Sequence, residues 1–219
     1  MGIFHIALDG PSGAGKSTVA KAIAKKLDIA YLDTGAMYRT VGLYMYENNV
    51  EISPVAVKEA LSGCEIEVCY NGGEQIMLLG GRNVNKEIRE HHVSSLASRV
   101  SAIPCVREYL VALQQRIAEG RSFVLDGRDI GTCVLPGAKY KFFLTATAGE
   151  RARRRCAELE QKGTPIAFEQ VLADIEKRDY DDSHREISPL RKAEDAIVVD
   201  STDMDAQQVI DYIVGLIKE

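Results

Sequence analysis

No run of this chain is long and apolar enough to cross a membrane as a helix, and the N-terminus lacks a signal-peptide pattern, so neither membrane insertion nor export is expected. Cysteine is sparse and unpatterned. The five thiols, Cys64, Cys69, Cys105, Cys133 and Cys156, are odd in number, and no C-x-x-C occurs. That argues against a disulfide framework and a zinc site, and a reducing, cytoplasmic setting is expected. Positive charge is in deficit: 27 Lys and Arg against 32 Asp and Glu leave a net charge of -5. Bulk electrostatic binding to nucleic acid is disfavoured, the more so without a basic patch interleaved with aromatics. The pair His91-His92 does not make a metal site, because adjacent helix positions diverge by about 100°. There is no N-K-x-D guanine motif, no internal repeat, no low-complexity segment and no obvious catalytic His or Cys dyad.

Near the start stands Gly10-Pro11-Ser12-Gly13-Ala14-Gly15-Lys16-Ser17, which fits G-x-x-x-x-G-K-[ST], the phosphate-binding P-loop. Ile3 to Leu8 before it reads as a buried parallel strand, and Ser17 to Lys26 after it as a helix with Val19, Ile23 and Leu27 on one face. A bare glycine turn ending in Lys-Ser would need neither flank. The glycines let backbone N–H groups close round phosphates, and the helix N-terminus adds partial positive charge. Lys16 is expected on the β- and γ-phosphates, with the Ser17 hydroxyl on Mg²⁺.

The 219 residues allow one domain, or one with an insertion. Ala30-Tyr31-Leu32 reads as a strand ending in Asp33-Thr34-Gly35, with a helix from about Ala36 to Glu47 capped by Asp33 or Thr34. Arg39 in its first turn is either a second phosphate ligand or an ordinary solvated arginine. Ser53-Pro54 opens another helix. Glu65 to Tyr70, Asn71-Gly72-Gly73 and Gln75 to Leu79 then make a β-hairpin pattern, with a third short strand expected at Arg82-Asn83-Val84. This patch reads as an insert over about residues 62–90. Helices return at about 93–102 and 104–119. Ser122 to Leu125 is an apolar strand running into Asp126-Gly127-Arg128-Asp129, where an acid beside a P-loop would orient Mg²⁺ or its waters. Tyr140 to Leu144 and Ile197 to Val199 are further core strands, and a helix from about Ala206 to Lys218 closes the chain.

Between those last strands, Glu150-Arg151-Ala152-Arg153-Arg154-Arg155 begins one charged helix. A second is expected from Ala167 to Asp179, joined through Gln161-Lys162-Gly163-Thr164-Pro165. Four arginines in an acidic chain with a polyanionic ligand favour a mobile lid over a solvated face. Arg178 and Arg185, two helical turns apart, could share one face.

Three later stretches, Asp33-Thr34-Gly35-Ala36-Met37-Tyr38-Arg39, Asp126-Gly127-Arg128-Asp129-Ile130-Gly131-Thr132 and Arg178-Asp179…Asp182…Arg185, resemble the signatures of bacterial cytidylate kinases. The likeness covers essentially the whole chain, the β-rich insert included. It implies transfer of the γ-phosphoryl of Mg-ATP to CMP or dCMP. By the same resemblance Gly10, Pro11, Ser12, Gly13, Ala14, Gly15, Lys16, Ser17 and Thr18 hold the ATP phosphates. Arg39, Arg128 and Arg178 grip the CMP phosphate, with Thr34 standing where some members have Ser. Ser98, Arg107 and Asp129 read cytosine, Asp182 and Arg185 touch the ribose side, and Arg151, Arg154 and Arg155 fall in the lid.

The expected fold is α/β, a three-layer P-loop arrangement with a five-stranded parallel sheet. Its core is expected at 1–34, 104–147 and 194–219, its NMP-binding region at 35–103 and its lid at 148–193. Ligands should sit at the carboxyl ends of the strands. A monomer is the default. The alternatives are a P-loop kinase for another nucleotide or small acceptor, and a non-catalytic nucleotide sensor.

Overall fold

A computed structural model describes residues 2–161 and 163–218. Strand β1 (His5–Asp9) leads through the glycine loop into α1 (Lys16–Leu27), and β2 (Ala30–Asp33) into α2 (Thr34–Glu47) and α3 (Pro54–Leu61). Then come β3 (Ile66–Asn71), β4 (Glu74–Leu79), β5 (Arg82–Asn83), a 3₁₀ turn at Glu87–Arg89, α4 (His91–Ser101) and α5 (Pro104–Ala118). Strand β6 (Phe123–Gly127) runs into a π-type turn at Ile130–Val134, followed by β7 (Tyr140–Thr145), α6 (Ala148–Gln161), α7 (Phe168–His184), β8 (Ile197–Asp200) and α8 (Ala206–Lys218). Lys162, which the sequence places between α6 and α7, lies outside the described residues.

The class is α/β, and the five-stranded parallel sheet has the order β2-β6-β1-β7-β8. Strand β1 pairs in parallel with β6 and β7, and β7 with β8. Two compact units form, one of Met1–Ile29 with Ser122–Glu219, the other of Ala30–Arg121, so α5 groups with the second.

In the first unit the apolar run of β1 is fully enclosed, with Ile6, Ala7 and Leu8 at 0% exposure, as a strand with neighbours on both edges demands. Helix α1 buries Val19, Ala20, Ile23 and Ala24 against β1, β6 and α8. Helices α6 and α7 share their own small core of Ala152, Leu159, Val171 and Ile175.

Helix α7 runs five residues beyond the expected end at Asp179. Its polar last turn is self-satisfied, since the Ser183 hydroxyl donates to the carbonyls of Asp179 and Tyr180 at 2.6 and 3.1 Å. Arg178 and Asp182 therefore stand one turn apart on a single helix. Arg185 falls just past its end in extended backbone, so the helix face expected for Arg178 and Arg185 together is not formed.

In the second unit β3, β4 and β5 form a separate antiparallel sheet. Helix α2 packs on α4, and Asp33, not Thr34, caps it: Asp33 Oδ1 accepts from Ala36 N at 2.8 Å.

Candidate active site

The parallel register of β1 and β6 sets Leu8 beside Asp126 and Asp9 beside Gly127, which brings two carboxylates to the carboxyl end of the sheet. Lys16, the first residue of α1, is buried, and its Nζ donates to the Pro11 carbonyl at 2.6 Å. Burial and the Arg128 charge push its pKa well below the ordinary lysine value, against the pull of Asp126, Asp182 and Asp9. Ser17 Oγ donates to Asp126 Oδ2 at 2.8 Å. A hydroxyl and a carboxylate thus meet at a helix N-terminus, a donor set of hard oxygens that fits Mg²⁺. That ion takes one or two protein oxygens and fills its remaining positions with water and phosphate.

Asp9 was not legible as a functional group, its only signal being a carboxylate directly before Gly10. Both its oxygens are used: the amides of Ile130 and Gly131 donate to it at 2.8 Å each. Burial pushes its carboxyl up to about 6, with those two amides pulling the other way. The bonds hold the turn that starts at Asp129. The Asp129 carbonyl accepts from Cys133 and Val134 N–H groups at 2.8 and 3.1 Å, and the residue itself is buried.

Beside this, Arg128 Nε donates to Asp182 Oδ2 at 2.8 Å. Arg185 approaches the other oxygen at 3.6 Å and donates through Nε to the Ser188 carbonyl at 2.7 Å. Burial alone would raise the Asp182 pKa, but the charges of Arg128, Arg178 and Arg185 outweigh it and hold the carboxyl below its usual range. Burial opposes the Arg128 charge in turn, and Asp182 outweighs it.

The arginines of α6 divide. Arg151 is buried and turned onto the P-loop backbone, donating to Ser12 O at 3.0 Å and Ala146 O at 2.9 Å, with Asp179 at 2.6 Å. Arg154 faces Glu150 and the Ser201 and Met204 carbonyls, and Arg155 pairs with Glu158 along its own helix. Lys16, Ser17, Asp126, Arg128, Asp129 and Asp182 are thereby gathered in one unit with the P-loop, and Arg154 and Arg155 face other partners.

The second unit holds the remaining residues. Thr34 is buried at the first position of α2. Arg39 pairs through Nη2 with Asp33 Oδ2 at 2.9 Å, and its Nε is buried with no hydrogen-bond partner among the described residues. A buried guanidinium N–H without an acceptor leaves Arg39 with donor capacity for an anion. Arg107 is buried in α5, 5.6 Å over the Tyr38 ring, and donates to the Ser101 carbonyl at 3.3 Å. The Ser101 hydroxyl donates to the Ser98 carbonyl at 2.7 Å, so α4 ties Ser98 to the Arg107 anchor.

A sequence profile of the cytidylate kinase family matches residues 6–219. Cytidylate kinase from Caldicellulosiruptor saccharolyticus is 48% identical over 213 residues, covering 97% of this chain and 94% of its own. That from Carboxydothermus hydrogenoformans is 49% identical over 214 residues, covering 97% and 96%. Among solved structures, an uncharacterized protein from Eubacterium ventriosum ATCC 27560 superposes with a TM-score of 0.54 at 15% identity, covering 99% of each chain, a likeness of fold alone.

Proposed function

The chain belongs to the cytidylate kinase family, and from that membership we propose that it moves the γ-phosphoryl group of Mg-ATP to CMP or dCMP, giving CDP or dCDP and ADP. The observation that carries this reading is kinship over nearly the whole chain, and the contact of the P-loop Ser17 with Asp126 at 2.8 Å supports it.

An oxygen of the CMP phosphate attacks the γ-phosphorus as the bond to the β,γ-bridging oxygen breaks and ADP leaves. The acceptor is already anionic near neutral pH, so the step needs alignment and charge neutralisation, not a strong base. Residues Gly10 to Thr18 hold the ATP phosphates, and Lys16, once drawn off Pro11, takes the β- and γ-oxygens. Ser17 and Asp126 would hold Mg²⁺, which would neutralise charge on the phosphates when bound with ATP. Arg39, Arg128 and Arg178 take the acceptor phosphate, where planar forks offset the repulsion between two polyanions and fix the attacking oxygen. Thr34 and Arg39 stand in the first two turns of α2, Asp182 and Arg185 take the ribose side, and Ser98, Arg107 and Asp129 read cytosine. Arg151 braces the loop that cradles ATP, and Arg154 and Arg155 complete the lid.

The direct test is ADP formation from Mg-ATP across CMP, dCMP, UMP, AMP, GMP and no acceptor. Strong turnover with CMP and dCMP, weak with UMP and negligible otherwise is expected. Turnover with a different nucleotide overturns the roles of Ser98, Arg107 and Asp129, and ATP binding without turnover on any nucleotide overturns the kinase reading. Within the same assay Asp129→Ala should narrow the CMP-to-UMP efficiency ratio by about tenfold or more, because a wrong base no longer meets an unmatched polar group. An unchanged ratio removes Asp129 from base reading.

A further inference from the structure

The β-rich insert forms its own sheet, apart from the sheet that holds β2. Its connection to β2 therefore cannot come from a shared ladder, and side chains supply it. Tyr70 on β3 donates its hydroxyl to the Tyr31 carbonyl at 3.0 Å. Gln75 on β4 accepts from the Asp33 N–H through Oε1 at 2.7 Å and directs Nε2 to the carbonyl of the same residue at 3.4 Å. One amide side chain thus does for Asp33 what a neighbouring strand would do, accepting from its N–H and facing its C=O. Gln75 is itself fixed, since Asn85 donates to its carbonyl at 3.0 Å and accepts from Met77 N at 2.9 Å.

Asp33 joins this anchor to the first turn of α2. One of its carboxylate oxygens caps the helix at Ala36 and the other holds Arg39 at 2.9 Å. A carboxylate committed to both bonds orients the guanidinium only as well as its own backbone is held. A shift of the Asp33 backbone would swing the Arg39 fork, whose buried Nε still has no acceptor among the described residues. We infer that Gln75 is a positioning residue, through which the β-rich insert sets the orientation of Arg39 toward the acceptor phosphate. This rests on the reading that Arg39 takes that phosphate.

The test is steady-state kinetics of the enzyme with Gln75→Met, alone and combined with Arg39→Met; the substitution keeps the volume and deletes both bonds to Asp33 together with the 3.0 Å bond from Nε2 to Met77 Sδ. Gln75→Met should raise KM for CMP by about tenfold with KM for ATP unchanged, as expected for a displaced positioning group. In the Arg39→Met background the same substitution should add less than about twofold, because the two act as one unit. Equal rises in both KM values, or no rise in either, overturn the inference while leaving the Arg39 reading intact. A full effect of Gln75→Met in the Arg39→Met background also overturns it. Arg39→Met with unchanged CMP kinetics brings down the Arg39 reading and this inference with it. Should Gln75→Met not fold, Gln75→Glu carries the test. It keeps the acceptor for the Asp33 N–H and should give a smaller rise in KM for CMP alone, and an unaltered KM overturns the inference.

Discussion

Arg128→Ala is expected to lower phosphoryl transfer to CMP by about 10³-fold or more while ATP binding stays within a few-fold. The guanidinium lies close enough to Lys16 for its charge to depress that lysine, and it is locked to Asp182 at 2.8 Å. If the acceptor phosphate binds as proposed, the guanidinium is preorganised to hold negative charge at no reorganisation cost during reaction. Deleting it also takes from Asp182 its one hydrogen-bonded guanidinium at 2.8 Å, leaving the charges of Arg178 and Arg185. The pair is largely buried, with side-chain exposures of 20% and 9%, so removing one partner should cost about 3 kcal/mol. For a chain of this size that lowers the unfolding midpoint by about 6–12 °C. The two losses separate experimentally, through kcat measured well below the new midpoint and ATP affinity by calorimetry. Near-normal turnover would remove Arg128 from the site. Arg128→Lys should recover much of the stability and little of the rate, because an ammonium restores charge but not the fork.

The same pair fixes a pH signature. Asp182 is held below the usual carboxylate range in the folded protein, so its contribution is present above the unfolded value of about 4 and is lost as pH falls through the lower folded value. Without Arg128 the depression shrinks, so less stability is lost below the unfolded value and the acid arm of the variant's stability profile should be shallower. An acid arm identical to that of the wild type would mean that Arg178 and Arg185 hold Asp182 unaided.

These groups differ in how far they could be read from the chain. The P-loop was legible because strand, loop and helix are contiguous, and Asp126 because it ends an apolar run. The α2 cap, the helix opened by Ser53-Pro54 and the β3–β4 hairpin follow from local turn and capping chemistry. What escaped is what the fold joins across distance. Asp9 meets the Ile130 and Gly131 amides more than a hundred residues away, and Gln75 meets Asp33 across 42 positions. Neither leaves a periodic or spaced trace in the sequence. The end of α7 was misplaced for a different reason. A cluster of Asp, Ser and His disfavours a helix interior, yet here the Ser183 hydroxyl bonds the Asp179 and Tyr180 carbonyls, and the Asp182 charge is met by Arg178 and Arg185. The guanidinium of Arg151, expected in a lid, is buried against the Ser12 and Ala146 carbonyls and the Asp179 carboxylate, three acceptors that the fold brings to it from distant or neighbouring turns.

Two glycines of the P-loop should respond very differently to a single methyl group. Gly10 has φ of 147°, and a Cβ there would fall inside the carbonyl oxygen of Leu144, 3.0 Å from its carbonyl carbon. Leu144 lies on β7, fully buried and paired with Val199 of β8, so the obstructing oxygen belongs to a strand fixed on both sides. Gly15 has φ of 85°, but a Cβ there meets nothing within 4 Å. Gly15→Ala should therefore cost only the left-handed backbone penalty, about 1–2 kcal/mol, a midpoint drop of about 2–8 °C. Gly10→Ala adds an overlap that only backbone movement can relieve. It should cost about 4 kcal/mol or more, lowering the midpoint by at least about 8 °C and weakening ATP binding as the loop is pushed off β7. Thermal unfolding of the two variants side by side, with ATP affinity for each, makes the comparison. If Gly10→Ala melted no earlier than Gly15→Ala, the Leu144 carbonyl would have to yield, and β7 could not be the wall against which the phosphate loop is formed.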